Sequence, residues 1–300
     1  MPLQSVRGLV FFLCLALLFF GLTNVSALTA TANMTVAPYF GVSLGSMAAL
    51  STAYFLPFIL LAPLCGYLAD IRGRKSLMLH GGAAFAVGLL LFGYSRSLIV
   101  GEAAQFIIGT GGAIVDVIAT ATIADLYRGH PARGTNLAQV FFGVGALASP
   151  ALVAHLLEAQ NLSWRTIYFG AATSAVALTF ALFTQSFPMA ETAEATSAEP
   201  AAGPGSAGRL LLSGSFLALV LAMLCYGCAE MGTAYGVPPY LEKGLGASKS
   251  IAGLSLSGYW GLMTLGRLIG SGMPSKASYP AVMAWSCVAG AICLAGAGFA

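Results

Sequence analysis

The chain has 300 residues, 58% of them hydrophobic and only 8% charged, with a net charge of +3 and a mean hydropathy of +0.86. Soluble domains carry about 25% charged residues, so a deficit this deep excludes an ordinary soluble enzyme and requires lipid as the surrounding solvent. The small net charge says little about partners, and no nucleic acid is expected among them.

Nine apolar runs follow in chain order, at 8–30, 40–69, 77–95, 98–126, 134–157, 165–187, 210–236, 249–272 and 280–300. Each is long enough to cross a hydrocarbon core of ~30 Å at ~1.5 Å per helical residue. Backbone groups in lipid must pair within their own segment, so the runs read as helices, and the ten-residue alternation of barrel strands is absent. The first run ends near Ala30-Thr31-Ala32, a signal-peptide-like triplet, but its length and the eight runs behind it favour a retained helix.

The basic residues are placed unevenly. With a cytoplasmic N-terminus, the inner side holds Arg7, Arg72, Arg74, Lys75, Arg128, Arg133, Arg209, Arg267 and Lys276, and the outer side only Arg96, Arg165, Lys243 and Lys249. That asymmetry fits the positive-inside rule and predicts a multi-pass protein of the cell membrane with its N-terminus in the cytoplasm. The six cysteines lie in or at the ends of the runs; Cys225 and Cys228 form a CxxC, with no further ligand near in sequence. They read as packing residues, with no disulfide, metal or cofactor expected.

The clearest break is 188–209, PMAETAEATSAEPAAGPGSAGR, too poor in apolar surface to fold alone. It divides the chain into a six-helix unit at 1–187, a flexible cytoplasmic linker at 188–209, and three further helices at 210–300. The pattern predicts two similar halves, the second incomplete.

Between the second and third runs, GYLADIRGRKSLM gathers Asp70, Arg72, Arg74 and Lys75 in six positions. Its frame, Gly66-x3-Asp70-x2-Gly73-Arg74-Lys75, resembles the signature loop of the major facilitator superfamily in both motif and placement. FIIGTGGA (106–113), GVGALASP (143–150) and WRTIYF (164–169) resemble the family's fourth, fifth and sixth helices. The stretches GGAIVDVIATATIADLY, NLAQVFFGVGALASP, AEMGTAYGVPPYL and SGYWGLMTLGRLIG are similar to the fucose-permease-like branch of sugar:proton symporters. The chain departs from that branch at Thr120, where an Asn is usual, and from many proton-coupled members at Gln105, where an Arg is usual.

The resemblance implies an all-α membrane fold of two six-helix halves, with about nine transmembrane helices present. It also implies a gating role for the hairpin. Asp70 would meet the positive end of a helix from the other half, Arg74 would reach Asp125 at the end of the fourth helix, and Gly66 and Gly73 would let the halves close. Lys75 and Arg267 join this gating set.

An ionisable group at mid-bilayer costs at least a few kcal/mol and is expected to face a cavity or a partner. Asp116 and Glu230 are the deepest such groups. Gln105, Gly109, Gly112, Asp116 and Thr120 share one helical face, which suits either a water-filled path or close helix packing. Tyr226 and Thr233 share the face of Glu230, whose alternatives are a coupling role or a pair with Arg267 or a tyrosine. Asn24 is a candidate donor to solute, and Trp260 a candidate platform for a sugar ring. Gln139 lies near the inner mouth, and His155 and Glu158 at the outer end of the fifth helix.

No nucleophile elbow, Walker loop or HExxH is present, so no enzymatic activity is expected. The expected function is secondary active transport of a small polar solute, a sugar or related metabolite, by alternating access and coupled to protons. The partners are that solute, protons and the bilayer, with the protein a monomer. The rivals are a multidrug or metabolite exporter of the same fold and a transporter-like sensor or scaffold.

Overall fold

The structure, a computed structural model, describes residues 3–24, 31–43, 46, 48–127, 131–158, 160–187, 213–272 and 278–299. The 188–209 linker and its Arg209, together with Arg128 and Lys276, lie outside these residues. Ten α-helices form among them: α1 (Leu3–Asn24), α2 (Thr31–Phe40), α3 (Ala48–Arg72), α4 (Arg74–Tyr94), α5 (Leu98–Leu126), α6 (Pro131–Glu158), α7 (Trp164–Phe183), α8 (Gly214–Pro239), α9 (Lys249–Ser271) and α10 (Tyr279–Phe299). A π-helical turn, Tyr240–Gly244, follows α8 directly.

Nine of these helices carry the nine apolar runs; α2 is an addition. Six, within α1 and α4 to α8, are long and apolar enough to cross a membrane. The two arms of α3, Ala49–Leu61 and Leu64–Arg72, make a seventh if taken as one span. They meet at 60°, next to Pro63, which has no N–H to return to the preceding turn. The apolar stretch of α10, Ala281–Cys293, is shorter. α9 has the length, at 23 residues, but a more polar and more strongly two-sided composition than the other helices.

Helix starts are written locally. Ser97, Ser163, Ser213 and Ser248 cap α5, α7, α8 and α9, each side chain accepting from the backbone N–H three residues on. The α3–α4 connection is a single residue. Gly73 takes φ 80°, a left-handed geometry that side chains resist, and its N–H donates to the Ala69 carbonyl at 2.9 Å.

Two apolar clusters show that successive helices run in alternating directions. One joins the start of α1 (Leu9, Leu13), the end of α3 (Cys65, Ala69), the start of α4 (Leu77, Met78), and the ends of α5 (Ile123) and α7 (Leu182). The other joins the opposite ends, through Phe20, Tyr54, Phe92, Trp164 and Tyr168. Arg7, Arg72, Arg74 and Lys75 therefore gather at one end of the bundle and Arg165 stands at the other.

Helix α6 ties α1 to α9. A Cβ at Gly145 would overlap the Leu18 carbonyl, and one at Gly143 would overlap the Thr264 hydroxyl. Ser149 adds a hydrogen bond to the Leu22 carbonyl. Small residues thus let these backbones approach where lipid supplies no hydrophobic drive. Through this contact the helices on either side of the 188–209 segment meet.

Candidate functional site

Polar and ionisable side chains from four helices come together near the α6–α9 seam. Asp116 on α5 lies within hydrogen-bonding reach of Gln139 on α6 and in the field of Arg267 on α9. On α8, one turn separates Tyr226 from Glu230, and the Tyr226 hydroxyl reaches both the Glu230 carboxylate and the Arg267 guanidinium. Tyr259 on α9 donates to the Glu230 backbone carbonyl at 3.4 Å and shares the fields of Glu230 and Arg267.

The reason is the antiparallel pairing of α8 and α9. It sets Glu230 opposite Tyr259, while the Arg267 side chain, leaning back along its helix, reaches Tyr226. The result is a polar group of two carboxylates, one guanidinium, two phenols and one amide, drawn from four helices. Several of its atoms are buried without a hydrogen-bond partner among the described residues: Asp116 Oδ1, Arg267 Nη1 and, one turn past Asp116, Thr120 Oγ1. Buried polar atoms are normally paired.

The α5 stripe divides by height. Fully buried Gln105 sits beside the Tyr168 hydroxyl of α7. A Cβ at Gly109 would overlap the Tyr54 carbonyl of α3, and one at Gly112 would press on Phe20 of α1. Asp116, by contrast, has Gln139 of α6 and Arg267 of α9 as its polar neighbours. Trp260 is 3% exposed and lies edge-on to Phe142 (6.2 Å) and Tyr259 (5.7 Å), with Nε1 unpartnered among the described residues. Asn24 closes α1, and its side chain lies outside the described residues, as does that of Glu158. His155 is exposed, with Gln160 at 3.4 Å.

At the end of the bundle the hairpin makes a second polar assembly. Arg74 pairs with Asp125 at 2.5 Å, joining the start of α4 to the end of α5. Lys75 stands over the Phe183 ring of α7 at 5.3 Å. Gly66 and Asp70 are exposed. The six cysteines are free, Cys14 and Cys65 buried and the others exposed.

Residues 11–300 match the sequence profile described as the Major Facilitator Superfamily. The chain is 29% identical over 228 residues to Protein TsgA of Shigella dysenteriae serotype 1 (strain Sd197), a match covering 75% of this chain and 56% of that protein. Protein TsgA of Escherichia coli O157:H7 (strain EC4115 / EHEC) matches with the same identity and coverage. The chain thus spans about half the length of these curated relatives. Among solved structures, the human organic anion transporter MFSD10 (TETRAN) aligns with a TM-score of 0.47 and 22% identity, over 61% of this chain and 47% of that one.

Proposed function

The chain belongs to the major facilitator superfamily, and from that premise we propose that it works as a secondary active transporter. It moves a small polar solute, a sugar or related metabolite, across the cell membrane by alternating access and coupled to protons. The observation that carries this reading is the polar group at the α6–α9 seam. Charges cost free energy inside a membrane and persist where a path or a partner uses them. Here they sit where helices before and after the 188–209 segment meet, the place where two rocking halves would hold a solute between them.

In this reading 1–187 and 210–300 belong to different halves, and 188–209 is their cytoplasmic link. Asp116 and Glu230 are the candidate proton carriers. Gln139, Tyr226, Tyr259 and Arg267 hold them and meet the solute. Arg267, grouped with the gate on its sequence position, moves here to the solute site because of its neighbours. The hairpin is the gate at the N-terminal, cytoplasmic end, with the Arg74–Asp125 pair supporting it.

The test is accumulation in proteoliposomes made from the full chain, with a labelled panel of small polar solutes and an imposed proton gradient. Asp116→Asn and Glu230→Gln keep shape and hydrogen bonding but remove titration. At least one of them is expected to abolish uphill accumulation while leaving solute exchange intact, since exchange moves no net proton. Uphill accumulation unchanged in both variants would rule out these carboxylates as carriers.

A further inference from the structure

Two opposite charges come within electrostatic range of each other near the seam without forming a pair. Asp116 on α5 and Arg267 on α9 each lie in the other's field, yet among the described residues they form no ion pair. Each also keeps one atom buried and, among the described residues, unpartnered: Asp116 Oδ1, which accepts when the carboxylate is ionised, and Arg267 Nη1, which only donates. Each group has one polar neighbour in reach, Gln139 for Asp116 and Tyr226 for Arg267. A buried polar atom with no partner is costly, and more so when it carries charge. The pair is therefore a divided site, with one side lacking an acceptor and the other lacking a donor.

A neutral sugar would suit Asp116, whose free oxygen needs only a hydroxyl. It would leave the guanidinium with a weak acceptor, although Arg is shaped for a carboxylate and binds one with two parallel hydrogen bonds. Thr120 Oγ1, unpartnered beside Asp116, can donate or accept and suits a neighbouring hydroxyl. Resting on the transporter reading above, we infer that the solute is a small acid. Its carboxylate is bound by Arg267, and an adjacent hydroxyl or ammonium group donates to Asp116. The solute then bridges α5 and α9, so its binding draws together the helices on either side of the linker.

The experiment measures the thermal midpoint of the purified full chain in micelles against millimolar D-glucuronate, L-serine and D-glucose. A ligand that binds the folded protein raises that midpoint, the more so the further its concentration exceeds its dissociation constant. Glucuronate or serine is expected to raise it and glucose to leave it unmoved, with the effective acid naming the donor as hydroxyl or ammonium. Arg267→Gln is expected to weaken the effective acid roughly thirtyfold or more. Arg267→Lys, which keeps the charge but loses the planar fork, should fall between and serves if the Gln variant does not fold. Stabilisation by glucose equal to that of the acids would overturn the inference, as would no shift with either acid, or an undiminished acid effect in both Arg267 variants. None of these results bears on proton-driven accumulation, so the acid class and the transporter reading fail separately.

Discussion

Arg165 shows how much one charged side chain can organise at a helix end. Its Nε donates to the Gly93 carbonyl at 3.0 Å and its Nη2 to the Ser95 carbonyl at 3.1 Å, where α4 runs out of intrahelical donors. The guanidinium also lies over the rings of Tyr39 (4.3 Å) and Trp164 (4.8 Å), which brings in α2 and the start of α7. Hydrogen bonds from a charged donor contribute about 1.5–3 kcal/mol when well buried. Arg165 is half-buried, so Arg165→Ala is expected to cost about 2 kcal/mol, near the lower end of that range with a small cation–π contribution. Arg165→Lys should recover little, because an ammonium cannot bond two carbonyls and stack at once. Unfolding of the purified protein in micelles checks both, and wild-type stability in the alanine variant would remove the clamp.

At the scale of elements, the α3–α4 hairpin and the end of α5 form one unit held by Arg74 and Asp125. Asp125 is 60% exposed and Arg74 25%, and such a pair contributes about 0–1 kcal/mol. Stability is therefore a poor reason for it; position is a better one. Asp125→Asn is expected to leave the unfolding midpoint nearly unchanged while cutting transport several-fold. Exchanging the two charges, Arg74→Asp with Asp125→Arg, should restore part of the loss. Equal transport by the wild type and Asp125→Asn would reduce the hairpin to a topology signal. The place of the hairpin between two apolar runs was legible from sequence; the serine caps and the left-handed turn at Gly73 were not read, though both act within a few residues of themselves. The bend at Pro63 and the helix α2 were not read. Proline within an apolar run is compatible with a straight or bent span, and Thr31–Phe40 falls between two stronger runs.

For the whole molecule, the apolar runs made the helices and their alternation readable, because lipid leaves the backbone few other choices. The site was readable only in part. Asp116 and Glu230 stood out by depth and Tyr226 by sharing the Glu230 face, with Arg267 or a tyrosine as an alternative partner of Glu230; Tyr259 itself was not singled out, since nothing local announces which residues of α8 and α9 face one another. Periodicity also placed Gln105 on the face of Asp116. Eleven residues along a helix is roughly 16 Å, however, and over that rise the neighbours change from α7 to α6 and α9. A helical face is one direction and several environments.

The central claim, that the polar group at the α6–α9 seam is reached in turn from each side of the membrane, is tested most directly by labelling. A single cysteine at Tyr226, which is 47% exposed, in a chain whose six native cysteines are replaced, would be challenged with an impermeant maleimide from one side at a time. Alternating access predicts reaction from both sides, with faster reaction from the cytoplasmic side once Asp125→Asn has broken the pair with Arg74. Reaction from neither side, or from one side alone whatever the state of that pair, would contradict it and leave a protein that holds its polar group without passing a solute through it.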